Sequence, residues 1–193
     1  MSTIITTSPQ SALPNLTLAN DTAKPVTSET ERIKENTERE LDIAARKGAP
    51  DVYVDAEKDT DWFHWQGTIY VKPLRFENRS GTYVIMLKTA PEAQLGKHRH
   101  RGEVRALTVK GSWGYHEYGW TAKAGDYINE NPGTIHTLWM GRDSEVMFNV
   151  TGSIEFFNDN GELREIMDLF SFWRMYVDHC HKKGVPANEN LWF

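Results

Sequence analysis

The chain has 193 residues, 11% of them aromatic with seven Trp, a formal net charge of −5 and one cysteine, Cys180. That length fits one domain with extensions, the acidic balance gives no reason to expect nucleic acid or an anionic membrane as partner, and a lone cysteine excludes an intrachain disulfide framework. No apolar run approaches the roughly 20 residues that cross a bilayer, and Met1-Ser2-Thr3-Ile4-Ile5 lacks the basic head and apolar core of a signal peptide, so a soluble, cytoplasmic protein is expected.

Residues 1–27 are rich in Thr, Ser, Asn and Pro without a sustained apolar period. Such a segment does not offset its own ordering entropy and reads as a flexible arm; an arm wrapping a neighbouring subunit is the alternative. A helix is predicted over 28–47. Ser28 and Glu31 fit a capping box, Arg46 and Lys47 fall in the last turn, and Gly48 and Pro50 stop it. Its apolar residues gather late, at Leu41, Ile43, Ala44 and Ala45, so packing at one end is expected. From residue 51 the texture turns β-like. Strands are predicted at Val52–Val54, Ile69–Leu74, Tyr83–Leu87, Arg105–Val109, Ser112–Tyr118, Asp126–Ile128, Thr134–Leu138 and Val146–Ile154, separated by Gly, Pro and Asn turn signals. Many short strands without intervening helices indicate a sandwich or small barrel. A last helix is predicted from Ile166 to Lys182, where Leu169, Phe172, Trp173, Tyr176, Val177 and Cys180 recur at steps of three and four. The division is thus an arm and helix over 1–50, an all-β barrel over 51–165, and a closing helix and tail over 166–193.

His98-Arg99-His100 places two imidazoles on one face of a strand, because strand side chains alternate. His136 follows after several strands and the Pro132-Gly133 turn. Three neutral imidazoles converging from two strands suit a divalent transition metal; an isolated pair of this spacing would otherwise be two solvated surface histidines. Other groups near this stretch carry weaker signals. If Ser112–Tyr118 is one strand, Trp113, Tyr115 and Glu117 share a face, and Glu117 is either a fourth ligand, a general base, or a solvated residue at the strand end. His116 would then point the opposite way. Arg105 either clamps an anion or pairs with a surface carboxylate. His64, between Phe63 and Trp65, reads as a histidine packed among aromatics. His179 and His181 repeat the spacing on a helix, where residues two apart diverge, so one ion does not take both. Cys180 reads as a small buried hydrophobe. Trp65, Tyr70, Phe76, Trp113, Tyr115, Trp139 and Phe148 read individually as core, with a subset at a mouth able to stack on an aryl ligand.

Gly96, His98-x-His100 and Gly111, followed by Gly125-Asp126 and Pro132-Gly133-x-x-His136, resemble the two motifs of the cupin superfamily. Within it, residues 98–113 together with the lead-in at 62–76 and the closing helix with Cys180 resemble the 2,4'-dihydroxyacetophenone dioxygenase family, over roughly residues 50–190. The resemblance implies a jelly-roll-like β-barrel flanked by an N-terminal and a C-terminal helix. It also implies one mononuclear Fe per subunit on His98, His100 and His136, with no organic cofactor. The implied reaction is cleavage of an aryl hydroxymethyl ketone by O2 to 4-hydroxybenzoate and formate. Tyr115 and Glu117, which share a face if that strand is regular, are the candidate catalytic residues, and a homodimer or homotetramer is expected. In the general cupin pattern a glutamate ligand follows the second histidine, but that slot falls here on Val104 or Arg105, with Glu103 one residue short. A bulge at Gly102 would be needed to turn Glu103 inward, so a three-histidine site with open positions is expected. The alternatives are a metal-binding regulatory cupin, like that of zinc anti-sigma factors, and another three-histidine dioxygenase acting on a diketone or thiol.

Overall fold

The computed structural model describes residues 28–48 and 51–192; the predicted arm over 1–27 lies outside them. The chain divides into two units, residues 1–49 and 50–193. In the first, helix α1 (Glu29–Lys47) is capped by Ser28, whose side chain accepts from the N–H of Glu31. Arg46 pairs with Asp42 at 2.6 Å, and none of the helix's residues is buried. The late apolar residues Leu41 and Ile43 are therefore exposed.

The second unit is built from two six-stranded antiparallel sheets. The first holds β1 (Phe63–Gln66), β2 (Ile69–Glu77), β3 (Thr82–Thr89), β5 (Val104–Lys110), β8 (Tyr127–Glu130) and β10 (Ser144–Thr151) in the order β1-β2-β3-β10-β5-β8. The second holds β4 (Ala93–His100), β6 (Ser112–Tyr115), β7 (Ala122–Lys123), β9 (Ile135–Met140), β11 (Ile154–Phe157) and β12 (Leu163–Met167) in the order β12-β11-β4-β9-β6-β7. Burial alternates strictly along β3 and β10, so Tyr83, Ile85, Leu87, Val146, Phe148 and Val150 face the space between the sheets. Helix α2 (Leu169–Lys183) begins at a capping box of Asp168 and Ser171 and ends at Gly184 in the left-handed region. Its buried face, Leu169, Phe172, Tyr176 and Cys180, packs toward β2. Among the described residues no helix is long and apolar enough to cross a membrane.

Several predicted elements differ. Val52–Val54 is not a strand: it has no partner, and Tyr53 is largely exposed. The strand from Ser112 ends at Tyr115 because residues 116–119 turn. The run Val146–Ile154 is two strands, since Gly152 takes a φ of 77° between them. Ile166 belongs to β12, paired with Glu155, so α2 starts at Leu169 instead. A Cβ at Gly102 would meet the Thr151 carbonyl oxygen at 2.1 Å. The turn after His100 therefore closes on β10 only with glycine there.

Candidate metal centre

Strand register brings the three histidines together. His98 on β4 lies directly opposite His136 on β9, and His100 is two residues further along the same face of β4. The ring centroids of His98 and His136 are 4.6 Å apart, those of His98 and His100 5.2 Å, and those of His100 and His136 5.7 Å. One nitrogen from each ring lies within 4.8 Å of the other two. The rings are buried, with relative exposures of 1%, 6% and 2% for His98, His100 and His136. Nδ1 of His98 lies 2.8 Å from the Gly96 carbonyl, which only accepts, so that nitrogen carries the proton and Nε2 keeps its lone pair. The turn before His136 is tied to β4 as well: Gly133, at φ 93°, donates its N–H to the His100 carbonyl at 2.9 Å.

A carboxyl group from the opposite sheet completes the cluster. Glu130, at the end of β8 and paired with Val104 of β5, is 8% exposed. Its Oε2 lies 3.6 Å from Nε2 of His136 and 3.9 Å from Nε2 of His100. Its Oε1 accepts the Tyr115 hydroxyl at 2.6 Å. The Tyr115 ring stacks on His136 with centroids 3.7 Å apart and planes 4° from parallel. Tyr115 thus fixes one histidine with its face and the carboxyl with its hydroxyl.

Burial sets the charge state. Desolvation lowers His98 to about 4, against an opposing pull from its bond to Gly96. It lowers His100 to about 2, helped by the neighbouring imidazoles His98 and His136, and His136 to about 3. The same burial raises Glu130 to about 7, although the Tyr115 hydrogen bond works the other way. Burial pushes the Tyr115 hydroxyl well above its ordinary range. The Glu130–histidine contacts are therefore not ion pairs at neutral pH, because the imidazoles are uncharged. Nδ1 of His100, both ring nitrogens of His136 and Oε2 of Glu130 are buried with no hydrogen-bond partner. Orphaned buried donors and acceptors are costly, and their concentration beside three neutral imidazoles fits a divalent metal ion.

The other sequence candidates lie elsewhere. Glu117 is exposed on the turn after β6, and its carboxylate accepts the Thr137 N–H at 2.8 Å. Partial burial raises it, but bonds from Thr137 and from its own N–H outweigh that and hold it below the usual carboxylate range. His116 is exposed on the same turn. Glu103 binds Arg105 at 2.7 Å, the surface pairing, and does not turn inward at Gly102. His64 is exposed and contacts Tyr70 and the Gly67 carbonyl. His179 bonds Asp61, which also binds Lys183. Cys180 is buried. Glu130 was the residue that sequence reasoning missed. The available signal was its place two residues after Ile128 on a strand, on the same face, just before the Pro132-Gly133 turn.

Two spaces flank the cluster. Inside the barrel, a cavity of about 30 Å³ touches His98 and His100 and is otherwise walled by apolar and aromatic groups, among them Tyr83, Phe148, Val150 and Phe172. Outside, a groove of about 350 Å³ runs between the 116–121 turn and β8 and reaches Glu130 and His136.

Residues 50–155 match the model of a family described as the ChrR cupin-like domain. No curated protein matches the chain. Among solved structures, an RmlC-like cupin protein from Ralstonia eutropha superposes with a TM-score of 0.69 at 24% identity, covering 75% of this chain and 96% of that one. A second Ralstonia eutropha protein, of unknown function and cupin-like fold, is 30% identical with a TM-score of 0.55, over 61% of this chain and 75% of its own. An acetylacetone dioxygenase from Acinetobacter johnsonii has a TM-score of 0.61 at 17% identity, over 67% and 93%. The two sheets of the second unit are accordingly a cupin fold.

Proposed function

We propose, from the premise that the chain belongs to the ChrR cupin-like domain family, that it is a mononuclear iron-dependent dioxygenase. Its reaction is cleavage of the bond between the carbonyl and hydroxymethyl carbons of 2,4'-dihydroxyacetophenone, giving 4-hydroxybenzoate and formate. The observation that carries the reading is the set of three buried neutral imidazoles beside a buried carboxyl, with four of their polar atoms unpartnered. His98, His100 and His136 would hold the ion, and Glu130 stands within reach of the same point. Bound there, iron would template the substrate oxygens and dioxygen and carry charge between them.

The chain's own groups handle the proton. Converting the hydroxymethyl ketone to its enediolate form requires a base, and we assign that role to Oε2 of Glu130. In the metal-free chain burial raises it to about 7, and a bound cation would draw it back toward the carboxylate that a base requires. The Tyr115 hydroxyl, itself held protonated, keeps the other carboxyl oxygen in place. Glu117, bound to the Thr137 N–H, keeps a negative charge near His136 without touching the cluster's inner face.

The test is anaerobic reconstitution with ferrous iron, then addition of the ketone and oxygen-18 gas. One labelled atom in each product is expected; products without label would sink the mechanism. A second reading is a metal-binding regulatory cupin, since three buried neutral imidazoles suit zinc as well as iron. Stoichiometric zinc in the purified protein, with no oxygen uptake on any ketone, diketone or thiol, would favour it. Uptake on a diketone or thiol alone would move the substrate class but keep the site. We further propose a homodimer or homotetramer, since the sheets end in the edge strands β8 and β12; light scattering after size exclusion checks it.

A further inference from the structure

An aryl ketone does not fit the space inside this barrel. The interior cavity of about 30 Å³ holds a water or two, whereas sites for small organic ligands measure about 300–1,000 Å³. Its walls are core residues on both sheets and α2: Tyr83 is 1% and Phe172 1% exposed, and their rings pack 5.2 Å apart.

The outer groove has the required size and a different lining. Its volume is about 350 Å³. Tyr118 and Trp120 stack face to face on one wall, with centroids 5.8 Å apart and planes 22° from parallel. Tyr127, 60% exposed, forms the other wall, with Asn129 beside it. Three large aromatic rings around one concavity make a surface suited to a flat ring. At the inner end stand Glu130 and His136, whose Oε2 and Nε2 are buried and unpartnered. Tyr118 meets the edge of His136 at 6.3 Å, so the aromatic wall is continuous with the histidine cluster.

We infer that this groove is the aryl-binding site: a 4-hydroxyaryl ketone lies with its ring against Tyr118, Trp120 and Tyr127 and its carbonyl end toward Glu130 and His136. The inference rests on the dioxygenase reading and deepens it by naming the residues that select an aromatic substrate. The walls supply ring stacking, which is tolerant of substituents, while Asn129 offers hydrogen bonds to the polar groups of the ligand. Glu130 stands at the inner end of the groove with Oε2 toward His136 while Tyr115 holds its other oxygen, so a ligand that reaches the histidines passes this carboxyl. The groove then acts on affinity and the cluster on chemistry.

The experiment uses the full chain loaded with zinc and titrated calorimetrically with 4'-hydroxyacetophenone, which lacks the hydroxyl needed for cleavage. Trp120→Ala should weaken binding roughly tenfold and Tyr127→Ala roughly threefold, the range expected for a lost ring contact. Zinc stoichiometry should stay unchanged in both. Because Trp120 also contacts Trp113 and Tyr115, the exposed Tyr127 is the variant that cannot act through the core. Phe172→Leu, in the interior cavity, should leave the affinity within about twofold. Unaltered binding in both groove variants, or a loss confined to Phe172→Leu, would overturn the groove while leaving the dioxygenase reading intact. No binding by the unmodified chain would overturn the aryl-ketone reading and the groove together.

Discussion

Glu130 is the residue on which the chemistry of the site turns, and its burial makes it a stability element as well. Its carboxyl is raised from 4.5 to about 7 in the folded chain. Between those values the folded state holds a proton that the unfolded state has lost, so this group stabilises the metal-free fold as pH falls toward 4.5, and above pH 7 the buried charge opposes folding. Glu130→Gln keeps an acceptor for Tyr115 and removes the charge. The metal-free variant should therefore be more stable than its parent by about 3 kcal/mol at pH 8, falling below about 1 kcal/mol at pH 5. Denaturant titrations at the two pH values measure this, and equal advantages at both would show that the carboxyl is not raised. The histidines work in the opposite sense. Lowered from 6.5, they charge more readily in the unfolded chain, so their contribution is lost as pH drops below about 6.5. At this scale the sequence was half legible. His98 and His100 share a face by parity, and His136 is joined to them by the Pro132-Gly133-x-x-His136 motif. Glu130 sits on a strand of the other sheet, and no local spacing encodes which residues two sheets bring face to face. The extrapolation to Glu117 failed locally, because alternation stops where β6 turns after Tyr115.

The elements that frame the site are held by a few close approaches. Replacing Gly102 by Ala puts a methyl group 2.1 Å from the Thr151 carbonyl oxygen, against backbone that has no rotamer to give. The β4–β5 turn must then lift from β10, and a loss of about 2 kcal/mol or more is expected, read from the denaturation midpoint. Phe172 acts at the other end, where α2 closes the barrel against Tyr83 and Trp65. Phe172→Ala should cost about 3–5 kcal/mol and enlarge the interior cavity, measurable by xenon binding. Strands with strong alternation, such as β3 and β10, were legible because one face is buried and the other is not. β4 is a poor strand by composition, with Gln94, Gly96, Lys97 and Arg99 among its residues, and only the paired histidines betray it. Val52–Val54 shows the converse: β-branched residues without a neighbouring edge to pair with remain coil.

In the molecule as a whole, the buried core runs from Phe63 to Leu191, and no residue of α1 belongs to it. Since His98, His100, His136 and Glu130 all lie in the second unit, a chain beginning at residue 50 should keep the same metal stoichiometry; loss of it would give the first unit a role in the site. Removing metal should matter more. A site occupied at a free ion concentration a thousandfold above its Kd adds about 4 kcal/mol, a shift of roughly 10 °C in Tm for a chain of this size. Chelation followed by a thermal scan tests it. The donors also come from both layers: the histidines from β4 and β9 in one sheet, Glu130 from β8 at the margin of the other. An ion on the three histidines, with the Glu130 carboxylate drawn to it, is a cross-brace between layers otherwise linked by side-chain packing and a few hydrogen bonds, Tyr115 to Glu130 and Trp113 to Thr108 among them. Backbone amides of β8, at a margin where exchange with deuterium is fast in most sheets, should become slow when metal is added. If protection rises on β4 and β9 alone, the brace has only one foot, and Glu130 is a bystander to metal binding.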